Sequence, residues 1–355
     1  MKNISKETKN ITIKDVADVA NVSTTTVSLV LRNKADRLVR IPEATRQRVY
    51  EAARKLNYRP NRLAQQLARQ QSNCLGVVLP GDIESLSSAY FGATLAGIVS
   101  EATRNDYRVL LLTDLEKIEQ ANIGLNLIKQ REIDGIITIA NALPYGSQLA
   151  QRAGFVSLYR DLPGTRWVSS DETTGTFKLL NHFIKNDYHK IAIVWSNSTN
   201  GLNRKQAYLD FCKAQHLPSL EEWRIKLNSK QRNFRQDLYT MLNSANRPDA
   251  VYLAIDTLVI TVYEIAAELK LSIPEDLAVA GSGNSSICSQ LQPSLTSINK
   301  PYQEMGSQAV QDVLEQINRF RKGQSPLPPA KHLLPCELVI RASTSPQPKK
   351  PETYQ

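Results

Sequence analysis

Residues 12–33 read TIKDVADVANVSTTTVSLVLRN, and residues 41–68 read IPEATRQRVYEAARKLNYRPNRLAQQLA. The first stretch spells two short helices around a tight turn. Thr12 followed by Asp15 has the form of a capping box, with a short acid in place of the usual Glu. Ile13, Val16, Ala17 and Ala20 then recur at helical spacing. Asn21 tolerates the left-handed backbone that a tight turn needs. Ser23 is a good N-cap for a second helix that reaches Arg32. There Val27, Val30 and Leu31 face inward, and Thr24, Thr25, Ser28, Leu29 and Arg32 are left outward. Pro42 suits the first position of a third helix, which runs to Asn57 with Val49, Ala52, Ala53 and Leu56 apolar. Two short helices with such a turn make a helix-turn-helix. Hydroxyls at the start of its second helix suit phosphate oxygens and base edges in a major groove. The competing reading is that Thr24, Thr25 and Thr26 only cap and solvate a helix start.

Charge separates this segment from the rest. Residues 1–72 hold 15 lysines and arginines against 6 acids, whereas the remaining 283 residues hold 29 against 28. A concentrated basic segment on a near-neutral body is the footprint of a polyanion-binding module. The chain has 355 residues, 41% of them hydrophobic, which supports two or three cored domains and excludes disorder throughout. No uncharged apolar run is long enough to span a membrane, and residues 1–10 do not read as a secretory signal. Cys74, Cys212, Cys288 and Cys336 are far apart, as expected of reduced thiols in a cytoplasmic protein. Neither they nor the four histidines suggest a metal site.

The two quoted stretches closely resemble the DNA-binding head and hinge of the lactose-repressor (LacI/GalR) family. The resemblance implies a helix-turn-helix head over 11–59 and a hinge helix over 60–72. It places Thr12, Ser23, Thr24, Thr25, Thr26, Ser28, Leu29, Arg32, Thr45, Tyr58, Asn61 and Arg62 among the DNA contacts. In the hinge, Leu67 takes the minor-groove wedge position and Ala64 the close-approach position; apolar wedges are a known device for kinking a duplex. A plain amphipathic linker helix packing on the body is the other reading of that segment. The family commonly carries Arg where Leu29 stands, and Asn where Arg32 stands. Leu cannot donate to guanine O6 and N7 but can touch a thymine methyl, so the usual base preference does not carry over.

Residues 73–345 alternate apolar runs with amphipathic patterns. The strand-like runs are Cys74–Leu79, Arg108–Thr113, Gly135–Ala140, Phe155–Leu158, Lys190–Trp195, Ala250–Ala254 and Leu277–Gly281. Such alternation implies an α/β fold with parallel sheets and ligands at the strands' carboxyl ends. No Gly-rich phosphate loop follows a strand, so no nucleotide cofactor is expected. The resemblance continues through Val168–Asp171, Arg204–Tyr208, Ile273–Leu277, Pro293–Ile298 and Glu337–Arg341. It implies a two-lobed, periplasmic-binding-protein-like (type I) body that the chain crosses three times, and residues 346–355 read as a disordered tail.

By the resemblance, Tyr159, Arg160, Arg204, Asp256 and Asn284 surround a small-molecule effector. Tyr159, Ile255 and Gly283 stand where sugar-binding members hold polar residues. Arg204 is expected to open a helix after Ser196–Asn203, and as a surplus charge beside a helix N-terminus it favours an anionic or phosphorylated sugar. The competing reading of Arg204 and Asp256 is a salt bridge between the lobes with no ligand. The implied function is a homodimeric transcriptional regulator, a repressor on a pseudo-palindromic operator in double-stranded DNA, with no catalytic residues and no cofactor. A regulator without an effector and a solute-binding protein are the alternatives. An enzyme would need clustered carboxylates or a metal motif, and Asp171-Glu172 is the only adjacent acidic pair in a suggestive place.

Overall fold

The helix-turn-helix begins as its sequence requires. The Asp15 amide donates to Thr12 Oγ1 at 3.4 Å, and the Thr12 amide donates to Asp15 Oδ2 at 2.7 Å, closing the capping box. Asn21 ends α1 (Ile13–Ala20) in the left-handed conformation, with φ 52°. The Thr26 amide donates to Ser23 Oγ at 3.1 Å and starts α2 (Thr24–Leu31). The third helix, α3 (Glu43–Lys55), starts one residue later than expected, with Pro42 as its cap. Val16, Ala17, Ala20, Val27, Val30, Val49, Ala52 and Ala53 form one core among the three helices. The Tyr50 hydroxyl closes it with a 3.2 Å hydrogen bond to the Val30 carbonyl.

The computed structural model describes residues 11–31, 41–59, 71–79, 89–113, 122–139, 143, 145–227 and 233–345. Arg32, the loop after it to residue 40, and hinge positions 60–70 with Asn61, Arg62, Ala64 and Leu67 lie outside the described residues, as does the tail 346–355. The chain divides into two units, residues 1–71 and 72–355.

The second unit has two lobes with the same strand order. Lobe 1 contains β1 (Cys74–Val78), β2 (Arg108–Leu112), β3 (Gly135–Ile139), β4 (Gly154–Leu158), β5 (Arg166–Ser170) and, from the far end of the chain, β11 (Ala330–Leu334). Lobe 2 contains β6 (Ile191–Ser196), β7 (Arg224–Leu227), β8 (Ala250–Leu253), β9 (Ala278–Ser282), β10 (Thr296–Asn299) and β12 (Glu337–Val339). The sheets run β11-β5-β4-β3-β1-β2 and β12-β10-β9-β8-β6-β7. All the pairs are parallel except β10–β12, an antiparallel edge that the sequence did not suggest. The seven expected runs are all strands. The other five were not read as strands because they are short or polar, as in Arg166-Trp167-Val168-Ser169-Ser170.

The same device fixes both sheets at their base. Asp134, before β3, accepts the Ser72 and Asn73 amides at 2.9 and 3.0 Å. Asp249, before β8, accepts the His189 and Lys190 amides at 3.0 and 2.9 Å. Each carboxylate satisfies backbone donors that enter a central strand.

Helices α4 (Ala89–Arg104), α5 (Ile123–Lys129) and α6 (Gly146–Arg152) flank lobe 1. Lobe 2 carries α7 (Glu172–Lys185), α8 (Thr199–Ala214), α9 (Phe234–Leu242), α10 (Val259–Glu268) and α11 (Ile287–Gln290). The long α12 (Tyr302–Arg321) follows β10 of lobe 2 yet packs on lobe 1, because Met305, Ala309, Val310, Val313 and Ile317 present one apolar face to that core. The chain therefore passes between lobes at β5–α7, β10–α12 and β11–β12. Where α12 meets α4, a Cβ on Gly306 would overlap the Thr94 carbonyl oxygen. Helix propensity favours Ala by about 1 kcal/mol, but this overlap is with backbone. Gly306→Ala should therefore cost about 1–3 kcal/mol net, read as a lower denaturant midpoint at unchanged slope. An unchanged midpoint would show that the two helices part freely.

Candidate nucleic-acid interface and ligand cleft

In the first unit the residues that build the fold and those left outward separate cleanly. Ser23, Thr24 and Thr25 are exposed, while Thr26, Ser28, Leu29, Thr45 and Tyr58 are half-buried. Thr12 and Thr26 are partly committed to the fold. The Thr12 hydroxyl donates to Asp15 at 2.6 Å, and Thr26 Oγ1 lies 2.9 Å from Ser23 Oγ. Arg48 reaches the Thr45 hydroxyl at 3.4 Å. Thr24, Thr25, Ser28 and Leu29 are thus the outward set on α2, beside a helix α3 that carries Arg46, Arg48, Arg54 and Lys55. Hydroxyls and cations at a helix start are the donor set that phosphates accept.

In the body, the carboxyl ends of β4, β5, β6, β8, β9 and β10 deliver Tyr159, Glu172, Arg204, Asp256, Ser282 and Lys300 to the crossover region. The charge arrangement differs from the expected one. Helix α8 begins at Thr199, capped by the Ser198 hydroxyl, so Arg204 sits in its second turn and does not open the helix. The Ser/Asn-rich stretch read as a loop starts a helix because Ser198 is an N-cap. Arg204 makes no salt bridge to Asp256 either. Its Nε lies 3.2 Å from Glu172 Oε2, and its Nη1 donates to the Ala254 carbonyl at 2.6 Å. Lys300 Nζ sits 3.0 Å from Glu172 Oε1, which also accepts the Ser170 hydroxyl at 2.7 Å. All three charged side chains are buried. Arg204 therefore already faces a buried carboxylate, one that it shares with Lys300.

Burial by itself would raise the Glu172 carboxyl, but Lys300, Arg204 and Ser170 outweigh it and hold the group below the usual carboxylate range. Burial draws the Lys300 ammonium down despite Glu172. The Tyr252 phenol is pushed up to about 12 by burial, and Tyr159 and Tyr302 are raised by the same cause. A Cβ on Gly283 would stand 3.5 Å from the Tyr302 hydroxyl, which sets that ring beside the lobe 2 loop that follows β9.

Asp256 is turned inward. It accepts the Ser297 hydroxyl and the Ser285 amide, each at 2.7 Å. A Cβ on Gly283 would stand 3.2 Å from Asp256 Oδ2, at a backbone φ of +131°. A carboxylate at position 283 would meet both strain and like charge. Asn284 is held by Asn299 at 3.2 Å and by Arg341 at 2.7 Å. Tyr159, with φ 66°, hydrogen-bonds Thr94 and sets its ring edge-on to Tyr90, with centroids 5.9 Å apart. Tyr302 lies 5.9 Å from Tyr90 and 6.4 Å from Tyr159. Arg160 is exposed, and among the described residues no polar contact joins its side chain to this cluster. Tyr159, Arg204 and Asp256 thus converge, Asn284 stands at the edge, and Arg160 stays apart. Sequence reading missed Glu172, Lys300, Tyr302, Tyr90 and Tyr252. The Asp171-Glu172 pair was the one visible signal, and it pointed to Asp171, which caps α7 through the Thr174 amide at 3.0 Å. Among the described residues no group of three or more His, Cys, Asp or Glu side chains can hold a metal, and no helix is long and apolar enough to cross a membrane.

Comparisons with known proteins match both units. Residues 12–61 fit the family described as bacterial regulatory proteins, lacI family, and residues 180–344 fit the periplasmic binding protein-like domain. The NTD biosynthesis operon regulator NtdR of Bacillus subtilis is 28% identical over 346 residues, 94% of this chain and 99% of that protein. The HTH-type transcriptional repressor CytR of Escherichia coli K12 is 26% identical over 343 residues, covering 94% and 96%. Among solved structures, the lac repressor dimer bound to operator and the anti-inducer ONPF aligns at TM-score 0.74 and 24% identity, covering 95% of this chain and 99% of that one. The transcriptional regulator CelR in complex with cellobiose aligns at TM-score 0.67 and 22% identity, covering 94% and 99%.

Proposed function

The chain belongs to the lactose-repressor (LacI/GalR) family of DNA-binding transcriptional regulators, and from that premise we propose that it works as a cytoplasmic homodimeric repressor. Two heads read a pseudo-palindromic operator in double-stranded DNA, and a small molecule bound where the lobes meet changes operator affinity. The observation that carries this reading is the outward face of α2. Its Ser23, Thr24 and Thr25 hydroxyls are exposed at the helix start, and the Asn21 turn and the Ser23 cap fix the angle at which α2 leaves α1. Residues 60–72 are assigned as the hinge, with Leu67 as wedge and Ala64 at the close approach. An anionic or phosphorylated sugar is the less favoured effector, because Arg204 already faces a carboxylate.

Selection of bound sequences from random duplex DNA by the full-length protein tests the reading. Two-fold symmetric sites are expected, and sites without symmetry would count against a dimer of heads. Leu29 sharpens the test. Leu29→Arg should gain a guanine at one symmetric position, worth about 1–3 kcal/mol over the other bases. Identical selected sites for both proteins would show that position 29 does not face the bases.

A second reading, a regulator without an effector, is favoured by the partners that Arg204, Asp256 and Asn284 find within the protein. Against it stands Ser282 Oγ, which is buried and makes no hydrogen bond among the described residues. A thermal-shift screen of small molecules separates the two readings.

A further inference from the structure

We propose that Tyr50, on α3, is a positioning residue for base reading. Its hydroxyl holds the C-terminal half of α2 at the roll and pitch from which Ser28 and Leu29 meet the bases. This deepens the regulator reading above and rests on it.

The two ends of α2 are held differently. At its start the Ser23 hydroxyl accepts the Thr26 amide at 3.1 Å. At its end the carbonyl of Val30, the penultimate residue, has no amide ahead of it within the helix. The last turn carries no basic side chain that could reach back to it. Tyr50 supplies the missing donor: its hydroxyl donates to the Val30 carbonyl at 3.2 Å, across 20 positions of chain. Among the described residues no other side chain donates to the carbonyls of that turn. The bond joins α2 to α3 where the core is thin, since Val27 and Val30 are the residues of α2 that are buried. The Tyr50 ring stays 40% exposed. Burial of the ring therefore does not account for the side chain, and the hydrogen bond does.

What the bond fixes follows from helix geometry. Leu29 precedes Val30 and Ser28 lies in the same turn, so any roll of the helix that shifts the Val30 carbonyl carries both outward side chains with it. At about 5–6 Å from the helix axis, a roll of about 10° moves a side-chain tip by about 1 Å. That is enough to spoil a hydrogen bond or a methyl contact at a base edge. Phosphate contacts carry no sequence information. Loosening this end of α2 thus subtracts from the sequence-specific part of binding and leaves the non-specific part.

The test compares full-length wild type with Tyr50→Phe, which removes one oxygen and keeps the ring. Fluorescence anisotropy at one salt concentration gives affinity for the operator selected by wild type and for a random duplex of the same length. The ratio of the two affinities should fall about three- to tenfold in the variant, the factor that one hydrogen bond commands. Affinity for the random duplex and its salt slope should not change. A merely structural hydroxyl would act on the fraction of folded heads, lower both affinities by one factor and leave the ratio alone. Site selection with Tyr50→Phe should relax the preference most at the symmetric positions where Leu29→Arg introduces guanine. An unchanged ratio, an equal loss on both duplexes, or relaxation spread evenly over the site would overturn the proposal, as would a Leu29→Arg protein that selects the wild-type sites. If wild type prefers no duplex over random DNA, the regulator reading fails. A specific wild type beside an unchanged Tyr50→Phe ratio removes the role of Tyr50 alone.

Discussion

Glu172→Ala should lower the stability of the body by about 3–5 kcal/mol, because it leaves the Arg204 and Lys300 cations buried with no counter-charge between them. A loss of that size is a large part of the roughly 5–15 kcal/mol that holds a typical domain folded. Denaturant unfolding followed by tryptophan fluorescence is the measurement. All three tryptophans, Trp167, Trp195 and Trp223, lie in the body, so the signal does not report the head. The effect has a pH signature. The folded-state carboxyl of Glu172 titrates below its ordinary value, so its contribution is complete above that value and is lost as pH falls through the depressed one. Wild type should therefore lose its advantage over the variant only in acid, below the usual carboxylate range. A difference under about 1 kcal/mol at neutral pH would mean that desolvation of the three charges cancels their attraction.

Operator affinity should fall roughly a thousandfold between 50 and 200 mM salt if the dimer neutralises six or more phosphates. The expectation follows from the charge division, with 15 basic residues against 6 acids in the first 72 positions and near balance beyond. Each phosphate neutralised releases counterions and adds about 0.9 to the steepness of the log–log plot. Fluorescence anisotropy with a selected operator gives that slope directly. Binding that is flat in salt would sink the assignment of the basic segment to phosphate contact. A steep slope shared by random DNA, with no preference for the selected site, would leave the charges in place and remove sequence reading by α2.

The head was legible almost residue by residue, because its determinants are local. A cap such as Thr12, a left-handed Asn21 and a Ser23 N-cap each act within four residues of chain. The strands β1, β3, β4, β6 and β8 were legible for a related reason, since fully buried parallel strands must be continuously apolar. The strands β5, β7 and β11 were not, because at the sheet margins or beside the crossovers polar residues such as Arg166 and His332 are admitted.

The buried charges at the crossovers mark the boundary. Sequence order by itself determined a basic helix-turn-helix ahead of an α/β body, and the residue types at Tyr159, Arg204 and Asp256. Only the tertiary structure decided which charge faces which. Glu172 and Lys300 lie 128 positions apart, yet the crossovers β5–α7 and β10–α12 bring them within 3.0 Å. Arg204 was legible as a cation and illegible as a partner of Glu172, since the Ser198 cap that turns it inward acts on a helix start read as loop. Helix caps and strand patterns are set by near neighbours in sequence. The electrostatics of a buried site depend on distances and on exclusion of water, and both exist only once the lobes have formed.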